Sequence, residues 1–344
     1  DAEYAYFSGF SSSWLQHSES YVNDMVGRFS LDETSHVIEI ASNDGYLLQY
    51  VKDRGIPCTG VEPTASTAAV ARGKGIETIE EFFGVTLAQT MVERGLGAAL
   101  TVANNVLAHV PDINDFVSGF RVLLKPDGVA TFEFPHLMRL ISETQFDTVY
   151  HEHFSYLSLT AVKQIFEVNG LNVFDVQELT THGGSLRVFA QRSDRDEYPI
   201  QSTVAALLAV EEEAGLTDLN GYSGFQPLVA SVKDTFLSFL IQAKKEGKRV
   251  AAYGAAAKGN TFMNYAGISS DLIEFVADKN PAKQGKFMPG SRIPIVNEER
   301  IHGSELDYVV ILPWNLKDEI SEQLDYIKDW GGKFVVAVPE LMIL

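Results

Sequence analysis

The chain is nearly devoid of cysteine. Cys58 is the only thiol in 344 residues, so no intrachain disulfide can form and no metal site can be built from several thiolates. This usage points to a reducing, cytoplasmic compartment. Long apolar runs are missing too: none reaches the about 18 residues of a membrane span, and the N-terminal residues lack the basic and apolar stretches of a secretion signal. Positive charge is scarce. Against 46 acidic side chains stand 27 Lys and Arg, leaving a formal charge of −19, which repels both the phosphate backbone of nucleic acid and an anionic membrane surface. Neither is expected as a partner, and the few cations stand out. No internal repeat and no low-complexity tract is found.

What is present suits two packed cores. With 45% hydrophobic side chains, the chain exceeds the usual roughly 100 to 200 residues of one domain. Ser35 to Ala41 reads as a buried strand, followed by the turn N-D-G and a helix-spaced run. Pro57 to Val61 gives a second strand, Ala65 to Lys74 a helix, Ala98 to Ala103 a strand, Asp112 to Leu124 a helix, and K-P-D-G a turn into V-A-T-F-E-F. Such alternation predicts a parallel, doubly wound α/β sheet. After Leu171 two strand-like runs are separated only by T-T-H-G, too short for a parallel crossover, so an antiparallel hairpin over 171–191 is expected. Residues 194–225 read as an acidic connector with one helix. A second alternating unit follows: a helix from Leu228 to Lys245, the strand R-V-A-A-Y, the small-residue turn G-A-A-A-K-G-N, a helix, and buried strands at Leu272 to Ala277, Tyr308 to Leu312 and Phe334 to Val338.

Glu39 near the end of the first strand, Asn43, Asp44 and Gly45 in the turn, and Glu62 after the second strand form an acid, turn, acid series. S-adenosylmethionine needs this combination: acceptors for a ribose diol and a charged methionine tail, beside closely approaching backbone. A dinucleotide is the rival ligand, since an acid about 20 residues after a glycine turn also belongs to its fingerprint. A-S-N-D-G-Y lacks G-x-G-x-x-G, and parallel sheets closed by an antiparallel hairpin are what class I methyltransferases have. The 254–260 turn approximates a P-loop but lacks the final K-[ST], so nucleoside triphosphate chemistry is not indicated.

E-F-P-H at 133–136 precedes Y-H-E-H, Tyr150 to His153. This run combines a base of near-neutral pKa, a carboxylate able to orient it and a phenol donor, a set suited to proton abstraction. His151 and His153 as an H-x-H metal pair, or a run that merely caps the next helix, are the competing readings. His109, in N-N-V-L-A-H-V after the fourth strand, stands where cofactor and substrate meet in class I enzymes, with Asn104 and Asn105 assigned to the cofactor.

N-N-V-L-A-H-V-P, Y-H-E-H-F-S-Y, H-G-G-S-L-R, Y-G-A-A-A-K-G-N and the late V-P-E together resemble the sugar C-methyltransferases that act on nucleotide-linked 4-keto deoxyhexoses in antibiotic pathways. The resemblance covers essentially the whole chain. It implies a class I methyltransferase sheet with an antiparallel hairpin, plus a second Rossmann-like α/β domain. Residues 1–30 would be an N-terminal segment contributing to the active site, 31–193 the cofactor domain, 194–225 the connector and 226–344 the nucleotide-binding domain. It further implies that His153 removes the proton next to the ketone, that Tyr150, Glu152 and His109 surround the sugar, and that Tyr4 closes the site. S-adenosylmethionine would leave as S-adenosylhomocysteine.

The C-terminal domain would hold a nucleotide diphosphate, with Lys258 and the backbone N–H groups of Gly254 to Asn260 as a phosphate cradle. A solvated helix-start lysine is the plainer reading of Lys258. Arg187 is either a second anion contact or the partner of an acid. Family members usually begin with a small cysteine-rich zinc domain, which this chain is expected to lack, and no metal is assigned. Methylation of an unrelated small molecule, or cofactor binding without turnover, are the alternative functions. Nothing in the sequence specifies an oligomeric state.

Overall fold

The computed structural model describes residues 7–344. By contact the chain divides into two units: residues up to His136 with His153–Thr180 and Gly184–Ala214 form the first, and Leu137–Glu152, Thr181–Gly183 and Gly215–Leu344 the second. These bounds differ from the expected ones. The connector's helix Ser202–Glu213 buries Val204 and Leu207 in the core of the first unit, and Phe146 joins the apolar core of the second.

The first unit carries a seven-stranded sheet of β1 (Val37–Ile40), β2 (Cys58–Val61), β3 (Glu77–Ile79), β4 (Ala98–Asn104), β5 (Leu124–Pro135), β6 (Leu171–Leu179) and β7 (Ser185–Arg192), in the order β3-β2-β1-β4-β5-β7-β6. The first five strands are parallel, and β7 is antiparallel to both β5 and β6. This is the doubly wound sheet with an antiparallel hairpin that the short T-T-H-G link demands. K-P-D-G is not a turn before the strand: β5 pairs with β4 at Leu124 and again from Val129, so the four residues between bulge out of one continuous strand.

Alternation along the strands sorts the core onto two faces. Ile38, Ile40, Phe132, Phe134, Leu186 and Val188 pack on one, whereas Val37, Val102, Val129 and Phe189 pack on the other. The second face is covered by the helix Ser12–Phe29, an element beyond those expected above, whose Leu15, Tyr21, Val22, Met25, Val26 and Phe29 recur at helical spacing. Its N-cap Ser11 accepts from the Trp14 amide at 3.3 Å.

The second unit has six strands, β8 (Val250–Tyr253), β9 (Val276–Ala277), β10 (Ile295–Val296), β11 (Tyr308–Ile311), β12 (Lys333–Val336) and β13 (Met342–Ile343), in the order β10-β9-β8-β11-β12-β13. All neighbours are parallel except β12 and β13. In each sheet the strand order reverses beside the first strand, between β1 and β4 and between β8 and β11. Ligands of open α/β sheets bind at the carboxyl ends of strands at such switch points.

Candidate active site

At the switch point of the first sheet stands Glu39. It is fully buried, and neither carboxylate oxygen has a hydrogen bond of normal geometry, although the Tyr46 phenol lies beside it. Burial pushes its pKa well above the usual carboxylate range; Tyr46 opposes this, and the charges of Asp44 and Glu62 add to it. The turn that follows is strained. Ala41 and Asn43 adopt φ of 59° and 49°, and Gly45 one of 73°, the left-handed region that costs most residues about 1–2 kcal/mol. A Cβ on Gly45 would also lie 2.5 Å from the Ile76 Cδ1.

Glu62 braces that turn. Its Oε2 accepts from the Asn43 amide and its Oε1 from the Thr64 amide, both at 2.9 Å. Asn43 Oδ1 in turn accepts from the Ser8 amide at 2.9 Å, and Lys74 donates to Asp44 Oδ2 at 3.3 Å. Several polar atoms here are buried without a hydrogen bond of normal geometry: both Glu39 oxygens, Ser42 Oγ, Asp44 Oδ1, and the Oδ1 atoms of Asn104 and Asn105, with the Tyr46 phenol beside Glu39 and Asn104. Buried polar atoms left in this way are ones that a bound donor can satisfy. A ligand rich in hydroxyl and amino donors fits them, which is the donor set of S-adenosylmethionine.

His109 ends a short 3-10 turn after β4, and its ring lies edge-on to His153 at a centroid separation of 4.6 Å. The backbone enforces this, because the amides of Phe154 and Ser155 both donate to the Ala108 carbonyl, at 2.8 and 3.3 Å. Tyr156 faces His153 at 5.7 Å. The unit boundary falls within Y-H-E-H: His153 belongs to the first unit, and Tyr150 and Glu152 to the second. His151 and Glu152 are exposed. The helix after this run is capped by Ser158, whose Oγ accepts from the Ala161 amide at 3.1 Å, not by Y-H-E-H itself. Among the described residues no three His, Cys, Asp or Glu converge as a metal site. Tyr4 lies outside the described residues.

In the second unit, Lys258 is the second residue of the helix Ala257–Ala266. Its ammonium donates to Asn315 Oδ1 at 2.6 Å and stands 4.5 Å from the Trp314 ring centroid. Trp314 Nε1 donates to the buried Asp147 at 2.8 Å. Burial lowers the Lys258 pKa, opposed by Asp147, and raises that of Asp147, opposed by Lys258 and Trp314. The expected cradle is narrower than Gly254 to Asn260. Gly254 donates to Ala277, Ala255 to Asp278, Ala256 to Gly254 and Asn260 to Ala256, which leaves the first helical amides, from Ala257 to Gly259, for an anion. Gly254 has φ 87° and abuts Pro313; Asn260 Oδ1 is buried without a partner.

Arg187 belongs to the first unit and is buried. It donates to Glu133 at 3.1 Å and to Gln177 at 3.3 Å, so its charge is committed inside the protein rather than offered to an anion. Asp278, which stands in no motif of the sequence, repeats the device of Glu62: one oxygen accepts from the Ala255 amide at 2.7 Å, the other from the Asn280 amide at 2.8 Å. An acid just after the second strand of the unit was the available signal. Tyr46 lies in no motif.

Residues 180–339 match the family described as C-methyltransferase C-terminal domain, and residues 14–176 match a methyltransferase domain family. The chain is 35% identical over 341 residues to the C-methyltransferase NovU of Streptomyces niveus, covering 99% of this chain and 81% of that protein. Among solved structures it is similar to magnesium protoporphyrin IX methyltransferase ChlM from Synechocystis PCC 6803 with bound SAM, at 16% identity over 52% of this chain and 79% of that one, with a TM-score of 0.40. A SAM-dependent methyltransferase from Archaeoglobus fulgidus aligns at 11% identity over 52% and 94% of the two chains, with a TM-score of 0.42.

Proposed function

Because the chain belongs to the family of S-adenosylmethionine-dependent C-methyltransferases, we propose that its acceptor is the carbon next to the ketone of a nucleotide-linked 4-keto deoxysugar, with His153 as the base. The observation that supports this reading is the pairing of the His109 and His153 rings at 4.6 Å, just beyond the end of β4. Imidazole is the side chain best matched to moving a proton near neutral pH.

The cofactor supplies an electrophilic methyl group on a sulfonium. Glu39, Asn43, Asp44, Glu62, Asn104 and Asn105 would hold it. His153 takes the α-proton: the C–H bond breaks, the proton passes to an imidazole nitrogen, and the electron pair spreads onto the keto oxygen as an enolate. Donors at that oxygen, His109 and Tyr150 in this reading, lower the barrier most when water is excluded. Alignment of the enolate carbon with the methyl group, together with Glu152 at the sugar, supplies the rest as positioning. In the second unit Lys258 and the first amides of its helix would take the diphosphate, and the nucleotide-sugar dependence rests on them.

Two measurements test the proposal. In deuterated buffer without methyl donor, the enzyme is expected to exchange the α-proton of a thymidine-diphosphate-linked 4-keto-6-deoxyhexose, and His153→Ala to lose that exchange; exchange undiminished in the variant would remove His153 as the base. Calorimetry with thymidine diphosphate is expected to show binding, and its absence would sink the nucleotide-linked acceptor while leaving C-methylation intact.

A further inference from the structure

Glu211 has no part in the reading above. It lies in the last turn of the helix Ser202–Glu213, whose two following glutamates are exposed, yet it is itself fully buried. Its carboxylate accepts from His136 Nε2 at 2.7 Å, from the Leu159 amide at 2.6 Å, and from the Thr160 amide and hydroxyl at 2.8 and 2.6 Å. These bonds fill the acceptor capacity of an ionised carboxylate. Burial works to raise its pKa, but the bonds from His136, Thr160 and Leu159 outweigh it and hold the group below the usual range.

The bonds join two distant points of the chain. At His136 the backbone leaves the first unit, and at His153 it returns, having run through Leu137–Glu152 in the second. His136 forms a backbone bridge with Leu157 on the returning stem and donates its amide to the Gly184 carbonyl at 3.0 Å. Glu211 therefore grips the departing stem through His136 and the returning stem through Leu159 and Thr160. Capping the helix Leu159–Val168 would need only the second grip, and Ser158 already caps it; the bond to His136 exceeds what a helix end requires.

We propose that Glu211 is a positioning residue for catalysis, which ties both stems of the Leu137–Glu152 excursion and thereby fixes His153 against His109. The inference rests on the reading of His153 as the base. Glu211→Gln keeps the shape but presents a donor where acceptors are needed, and His136→Leu cuts only the tie to the departing stem. In both, kcat is expected to fall on the order of 10- to 100-fold, as for a small misplacement of reacting groups. Affinity for S-adenosylhomocysteine should stay at the wild-type value, and the His153 resonance in histidine-labelled NMR spectra should shift. His136→Gln, which can still donate, should recover most of the rate.

Wild-type kcat with an unmoved His153 resonance in a folded His136→Leu protein would overturn the proposal, even if Glu211→Gln failed to fold. Loss of S-adenosylhomocysteine affinity in step with kcat would also overturn it, by reducing Glu211 to a structural carboxylate. Activity retained by His153→Ala would instead overturn the base assignment, and the His153 resonance in the Glu211 and His136 variants would still report on the tie.

Discussion

Glu133 and Arg187 stand directly opposite each other on the antiparallel β5–β7 pair, and their side chains close a buried ion pair of 3.1 Å. His17 reaches the same carboxylate at 3.0 Å from the covering helix, and the Tyr21 ring lies 4.7 Å from the guanidinium. Removing one partner strands a buried charge. Arg187→Met is therefore expected to destabilise the protein by about 3–5 kcal/mol, read by urea denaturation. The double variant Glu133→Gln with Arg187→Met should recover most of that loss; equal damage in both would show that the guanidinium acts through packing rather than charge.

Glu39 is expected to make the stability of the ligand-free protein depend on pH. Its folded pKa lies above the ordinary value of 4.5, so between those two values the native state holds a proton that the unfolded chain has released. Stability from this group is full below about pH 4.5 and is lost as pH rises through the folded pKa. Thermal melts of the free protein at increasing pH should show that decline, and Glu39→Gln, which cannot ionise, should flatten it. An unchanged slope in the variant would assign the pH dependence to other groups.

The turn Ala41 to Gly45, proposed to hold the cofactor, is braced by Glu62 and crowded by Gly9. Glu62→Gln can replace only one of the two backbone acceptors, and its affinity for S-adenosylhomocysteine should fall roughly tenfold, about 1.5 kcal/mol. A Cβ on Gly9 would lie 2.4 Å from Asp44 Oδ2, which Lys74 holds in place. Gly9→Val should thus displace that carboxylate and weaken the same binding on the order of tenfold. Calorimetry measures both, and wild-type affinity in either variant would free that residue from the cofactor's site.

In the second unit Lys258 and Trp314 are expected to separate. Trp314→Phe deprives buried Asp147 of its 2.8 Å donor and should cost about 1–3 kcal/mol of stability. Lys258→Ala should abolish thymidine diphosphate binding while leaving S-adenosylhomocysteine binding unchanged. Nucleotide affinity surviving in the lysine variant would leave its ammonium as a partner of Asn315 and Trp314 alone.

Much of this was legible in sequence because alternation and link length are local. The four-residue link T-T-H-G decided the antiparallel hairpin, and Glu39, Asn43 to Gly45 and Glu62 gather at one switch point as their spacing implied. What stayed hidden depends on contacts between remote positions. Arg187 meets Glu133 only because β7 inserts between β5 and β6, and no spacing in H-G-G-S-L-R announces that register. Glu211 reads as one of three solvated glutamates until the helix Ser202–Glu213 docks against the stems at His136 and Leu159. The partition of Y-H-E-H between two units likewise follows from packing, since Phe146 sits among the residues of the second core, 5.4 Å from Phe262 and 5.3 Å from Tyr265.

The chain passes from one unit to the other after His136, Glu152, Thr180, Gly183 and Ala214. Recombination can transplant a domain only if a single joint releases it, and no single joint releases either of these. A fragment starting at Gly215 would lack Phe146 and Asp147, uncovering the side of Phe262 that Phe146 packs on and leaving Trp314 without its acceptor. Exchange of acceptor specificity among relatives by swapping the C-terminal half would then require the Leu137–Glu152 segment to travel with it, carrying Tyr150 and Glu152 along.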